Sequence, residues 1–167
     1  MRPATIRKTL GRLPVTPHLA DWAAVCAAFS WTRVREQLIG PNGAVVNIAQ
    51  LAVDRHANGA QAQRTALRFL AADGSATDLT YAELKRRTDA FANALTGLGV
   101  GAGDRVFVLA GRMPALYVAV LGALKNGSVL TPLFSAFGPE PIATRMAIGQ
   151  ARVLVTTAAL YRRKIEK

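Results

Sequence analysis

The chain has 167 residues, enough for one core that hides roughly two thirds of the unfolded surface and too few for two large domains. A hydrophobic content of 51% against 19% charged residues excludes a chain too polar to fold. The net charge of +11 suits anionic partners, but it is dispersed: residues 1–60 carry seven Lys/Arg against three Asp/Glu, and residues 61–167 carry fourteen against seven. Neither Lys85-Arg86-Arg87 nor Arg162-Arg163-Lys164 is long enough for a nucleic-acid arm, and no nucleic-acid partner is expected.

The lone cysteine, Cys26, has no partner within the chain, so nothing marks an oxidising compartment, and a cytoplasmic setting is expected. Ala115 to Leu124, the longest strongly apolar stretch, is about half the length that a membrane-spanning helix requires, so no span is predicted. The first acid is Asp21, after Arg2, Arg7, Lys8 and Arg12; without an apolar core or cleavage pattern this opening reads as a tail.

In chain order, residues 1–20 hold three prolines and no period, which predicts irregular backbone. A helix is expected from Asp21 to Ile39, with Trp22, Val25, Phe29 and Leu38 on apolar positions and Gly40-Pro41 as its stop. A second helix is expected from Asn47, as N-cap, to His56, with Ile48, Leu51 and Ala52 on one face. Thr65 to Leu70, Asp73-Gly74 and Ala76 to Thr80 form a strand, turn and strand, which is a hairpin signal. Thr80 and Glu83 are spaced as a capping box for a helix carrying Leu84, Phe91, Leu95 and Leu98, and Gly99 stops it.

Beyond Gly99 the pattern alternates. Arg105 to Ala110 reads as a buried strand, Pro114 to Lys125 as a helix ended by Asn126-Gly127, and Val129 to Leu133 as a strand. Pro139 and Glu140 open a further helix through Gly149, and Arg152 to Thr156 is the next strand. The predicted fold class is therefore α/β: the first part of a doubly wound, largely parallel sheet with helices on both faces, preceded by a helical and irregular N-terminal segment.

Few residues carry an obvious chemical signal. Gly99 to Asp104, G-V-G-A-G-D, follows a helix and enters a strand, the reverse of a phosphate-binding glycine loop, and reads as a helix cap and turn. His18 and His56 lack ligand-type neighbours, and Cys26 in W-A-A-V-C-A-A-F reads as a packed thiol. Lys85, Arg86 and Arg87 read as a solvated helix face. No metal site is predicted.

Three segments together carry a resemblance. N-I-A-Q-L-A-V-D-R-H (Asn47 to His56) is similar to the entry segment of acetyl-CoA synthetases and related enzymes. L-T-Y-A-E-L (Leu79 to Leu84) with G-V-G-A-G-D-R-V-F-V (Gly99 to Val108) resembles the early region of adenylate-forming enzymes. P-L-F-S-A-F-G-P-E-P-I-A-T-R (Pro132 to Arg145) with A-R-V-L-V-T-T (Ala151 to Thr157) resembles the acetyl-CoA synthetase branch of the AMP-forming acyl-CoA synthetases. The resemblance implies residues 1–43 as an N-terminal tail and helical segment, and residues 44–167 as part of the N-terminal domain of an AMP-dependent synthetase. It also implies, for the complete enzyme, conversion of acetate or another short acid to acyl-CoA through an acyl-adenylate, with ATP, magnesium and coenzyme A.

The family's Pro-Lys-Gly phosphate loop, Thr-Glu pair, ribose-binding Asp and C-terminal lysine have no counterpart among these residues, so no catalytic residue is assigned and the chain alone is expected to be inactive. By the resemblance, the loop Phe134, Ser135, Ala136 and Phe137, with Arg162 and the adjacent Arg163, borders the coenzyme A nucleotide. Ser135 and Ala136 stand where close acetyl-CoA synthetases carry glycines. A solvated basic end accounts for the two arginines equally well. Expected partners are the nucleotide of coenzyme A and either the remainder of a synthetase or a second copy of the chain. The alternatives are an interaction subunit completing a separately encoded remainder and a small basic nucleic-acid module, the latter disfavoured by dispersed charge and few aromatics.

Overall fold

The computed structural model describes residue 11, residues 14–39 and residues 46–166. Backbone contacts divide the chain into two units, Met1–Ala44 and Val45–Lys167. Most of the expected tail, the Gly40-Pro41 stop and the expected boundary at 43/44 lie outside the described residues.

In the first unit, the Asp21 carboxylate accepts a hydrogen bond from the Ala24 amide at 3.0 Å and caps α1, Trp22–Ala28. Phe29 is extended, with φ −70 and ψ 134, and α2 begins afresh as Trp31–Ile39. The single helix expected over Asp21 to Ile39 is thus two, because one extended residue resets the helical phase. Neither helix buries a residue, and Trp22, Val25, Phe29, Leu38 and Cys26 are all exposed. The packed thiol and apolar face expected here are not formed; Phe29 and Trp31 instead meet edge to face at 5.0 Å.

The second unit opens with Asn47, whose Oδ1 accepts from the Ala49 and Gln50 amides. The expected helix follows, but Gln50–Asp54 is a π-turn, with the Arg55 amide donating to Gln50 O five residues back, before one α-turn, α3, Arg55–Ala57. A wider turn rotates the side chains away from a 3.6-residue phase. Ala49 and Val53 are buried, whereas Ile48 and Ala52 are exposed, so the expected Ile48, Leu51, Ala52 face is not the inner one.

Strands β1, Thr65–Leu70, and β2, Ala76–Thr80, form the expected antiparallel hairpin, and Gly74 takes the positive φ of its turn. Thr80 then caps α4, Tyr81–Gly97, accepting from the Glu83 amide at 3.2 Å. The Glu83 carboxylate is engaged by Arg86 and Arg87 at 2.8 and 2.7 Å, so the side chain expected to close the box forms ion pairs instead. Gly99, at φ +74, ends the helix: its amide bonds Thr96 O and the Val100 amide bonds Leu95 O.

Strand β3, Arg105–Leu109, follows, then α5, Pro114–Lys125, β4, Val129–Pro132, α6, Pro139–Ile148, β5, Val153–Thr156, and α7, Ala158–Lys164. The sheet order is β4-β3-β5, all parallel, so β3 lies between two partners and its apolar run is buried throughout. Alternation sends Val106 and Val108 to one face, where they pack with Leu95, Val100 and Ala123. Phe107 and Leu109 go to the other, against Leu133, Ile142 and Leu160. Helices therefore cover both faces. Helices α4 and α5 approach closely at Gly122, where a Cβ would lie 2.8 Å from Phe91 Cδ1 and 2.9 Å from Thr88 O. The hairpin packs separately, Leu79 meeting Val53 and Leu84.

Candidate functional site

In a parallel sheet all strands end on one side, and the loops leaving the carboxyl ends gather there. Two such segments concern us, the connection from β4 to α6 and the helix α7 after β5. Leu133 is buried and its amide donates to Val108 O at 2.8 Å, which fixes the start of the first segment to the sheet. Phe134, Ser135 and Ala136 then turn outward and are exposed. The Phe137 amide returns to Phe134 O at 3.1 Å, closing a turn, and Gly138-Pro139 opens α6.

The aromatic rings of this turn are organised. Phe134 and Phe137 meet edge to face with centroids 5.6 Å apart, and the Arg145 guanidinium carbon lies 4.2 Å from the Phe137 centroid. Arg145 Nη1 also donates to Pro141 O at 3.0 Å, which holds the guanidinium over the ring. Beneath lies a cavity of about 500 Å³ whose wall includes Phe107, Thr131, Phe134, Phe137, Arg145 and Ile148. It is a mostly apolar recess with one cation at its lip, suited to a flat ring bearing a negative group.

Helix α7 was not expected from the sequence. Thr157 caps it by accepting from the Leu160 amide at 3.3 Å, and Leu160 anchors it in the core beside Phe107 and Leu109. Arg162 and Arg163 project from its last turn, are exposed, and make no hydrogen bond or ion pair among the described residues. The next residue, Lys164, reaches the first segment: its Nζ donates to Ser135 O at 2.7 Å and to Phe137 O at 2.5 Å. The structure thus joins the loop and the arginine-bearing helix through Lys164, a residue the sequence reading passed over. The pair Thr157 and Leu160, followed by good helix formers, was the available signal for α7.

The other basic cluster has no free charge of this kind. Arg86 and Arg87 are taken by Glu83, and Lys85 by Asp89. His56 faces Tyr81 with ring centroids 4.9 Å apart, a packing role. Among the described residues, no cluster of three His, Cys, Asp or Glu side chains is placed to hold a metal, and no helix is long and apolar enough to cross a membrane.

Helix-covered parallel strands with a loop and helix at their carboxyl ends define an α/β protein of the doubly wound class. The model of the AMP-binding enzyme family matches residues 53–167, and the chain belongs to that family. It is 36% identical over 118 residues to the acetyl-coenzyme A synthetase of Streptomyces coelicolor, covering 71% of this chain and 18% of the relative. With the acetyl-coenzyme A synthetase of Bacillus subtilis it shares 35% over 157 residues, 93% of this chain and 27% of that one. Among solved structures, an acyl-CoA synthetase of Brucella canis superposes with a TM-score of 0.74 at 32% identity, covering 85% of this chain and 26% of the other. The chain therefore spans roughly a fifth to a quarter of the length of these relatives.

Proposed function

We propose that residues 44–167 belong to the opening region of an acyl-CoA synthetase that activates acetate or another short acid, with residues 1–43 as a separate lead-in. In the complete enzyme a carboxylate oxygen attacks the α-phosphorus of ATP, pyrophosphate leaves, and the thiol of coenzyme A then displaces AMP from the acyl carbon. Magnesium would accompany ATP. None of these steps is assigned to a residue of this chain, and the polypeptide alone is expected to form no acyl-adenylate. A cytoplasmic setting suits the substrates.

The part played by this region is to border the nucleotide of coenzyme A. The observation that carries this is the juxtaposition of the Phe134 to Phe137 loop with a helix presenting Arg162 and Arg163, two cations with no partner among the described residues. Arginine suits a phosphate because its planar fork donates paired hydrogen bonds. Each contact is worth about 1.5–3 kcal/mol if desolvated and less than about 1 kcal/mol if left in water. Ser135 and Ala136 are exposed, and by the resemblance they stand where glycine would leave a wider approach.

Two measurements test this. Acetate-dependent exchange of pyrophosphate into ATP by the pure chain should be absent, and its presence overturns the inactive reading. Titration with coenzyme A should show binding that weakens in the R162A/R163A variant; equal affinity in the two proteins removes the nucleotide site.

A further inference from the structure

We propose that Lys164 is the positioning residue of the nucleotide site, holding the 134–137 loop and α7 in one geometry; this rests on the site reading above. Three consecutive cations end the helix, but they are not equivalent. Arg162 and Arg163 are exposed and unpaired among the described residues, while Lys164 is half-buried and both its bonds go to main-chain oxygens of the loop. An ammonium shared by two carbonyls is a charge-assisted clamp.

The clamp matters because, among the described residues, its two hydrogen bonds are the ones that tie the loop to the helix, each segment otherwise being anchored separately to the core. Helix α7 has seven residues, too few for independent stability; the Thr157 cap and Leu160 fasten its first half, and Ile165 packs against the core just past its end. The loop presents Phe134, Ser135 and Ala136 to solvent, and its internal bond is Phe137 N to Phe134 O. Lys164 ties the last turn of one to the backbone of the other. It thereby sets the spacing between the arginines and the Phe134 ring while spending its own charge on the protein. Lysine suits this task better than arginine, since a compact ammonium on a flexible stem can sit between two carbonyls.

The experiment uses the whole chain with Lys164→Met, Lys164→Gln and Lys164→Arg beside R162A/R163A. Amide exchange at Phe137 is followed by NMR, and binding of adenosine 3′,5′-bisphosphate, the nucleotide part of coenzyme A, by calorimetry. The Met variant should exchange at Phe137 about tenfold faster and bind about tenfold more weakly, with Gln nearer the wild type and Arg partly restoring both. R162A/R163A should lose binding with Phe137 exchange unchanged. The Gln variant decides the matter if Met prevents folding. Wild-type exchange at Phe137 in folded Met and Gln variants overturns the proposal, as does wild-type affinity in them. If the wild-type chain binds no nucleotide, the site reading falls, and the exchange rates alone decide whether Lys164 fixes the loop.

Discussion

Lys125 Nζ lies 2.5 Å from Asp89 Oδ1 and 2.5 Å from Asp54 Oδ1, joining α5 to α4 and to the π-turn through one lysine whose side chain is 6% exposed. Asp89 in turn takes Lys85 at 2.6 Å. Burial of Asp89 acts to raise its pKa, but the bonds from Lys125 and Lys85 outweigh it and hold the carboxyl below its ordinary value. Lys125→Met should destabilise the chain by about 1–3 kcal/mol because two carboxylates lose their shared cation. Replacing the charges together, K125M/D54N/D89N, should recover most of that loss, as measured by urea unfolding. A triple variant no better than the single one would show that packing of the lysine stem, not charge, is at stake.

Glu83 gives a pH dependence with a defined sign. Hydrogen bonds from Arg86 and then Arg87 lower its pKa from 4.5 to about 2. The folded state therefore holds fewer protons than the unfolded one between these values, so this contribution is complete above pH 4.5 and lost as pH falls toward 2. Glu83→Gln should flatten the fall of the melting temperature in that window and reduce its sensitivity to salt. Parallel pH curves for variant and wild type would dismiss the carboxylate.

Two glycines should respond in opposite directions to alanine. At Gly122 the new methyl would meet the Phe91 ring and the Thr88 carbonyl at under 3 Å, and the carbonyl is held within α4. Gly122→Ala should cost about 1–3 kcal/mol by forcing the helices apart. At Gly97, the last residue of α4, nothing lies within 4 Å, and Gly97→Ala should stabilise by about 0.5–1 kcal/mol. Thermal melts of the pair decide whether the α4 and α5 contact is as close as described.

Among the described residues, strands β4 and β5 each pair on one side only, and beside β5 a cavity of about 730 Å³ is lined by apolar side chains including Phe91, Met113, Val118 and Val155. Open strand edges and apolar recesses favour association. We expect hydrophobic-dye binding and a sedimentation coefficient that rises with concentration, both reduced by Val155→Lys. A dye-negative monomer at all concentrations would show these edges to be adequately shielded.

The local grammar of the chain was legible without coordinates. The hairpin around Asp73-Gly74, the Thr80 cap and the Gly99 stop each depend on neighbours within a few residues, and the strand at Arg105 to Leu109 shows as an unbroken apolar run, so propensity and spacing carry them. The Phe134 to Phe137 loop and Arg162 were singled out by the resemblance alone, not by any local pattern of the residues.

Other features answer to partners far along the chain. The π-turn after Asn47 turns Val53 rather than Ile48 inward, and there Val53 packs with Leu79 and Leu84. Asn47 Nδ2 donates to Leu124 O at 2.7 Å across 77 residues, a bond that no window of the sequence contains. Lys164 reads as one more surface cation until the sheet brings α7 to the loop, where Ser135 O and Phe137 O accept its protons. The sequence by itself determined the hairpin turn, the Thr80 cap and the Gly99 stop because those rest on hydrogen bonds a few residues long. Which side of the Asn47 turn is buried and which basic side chain is spent were decided by tertiary structure, since the first depends on the hairpin and α4 reaching Val53 and the second on the sheet bringing α7 to the loop.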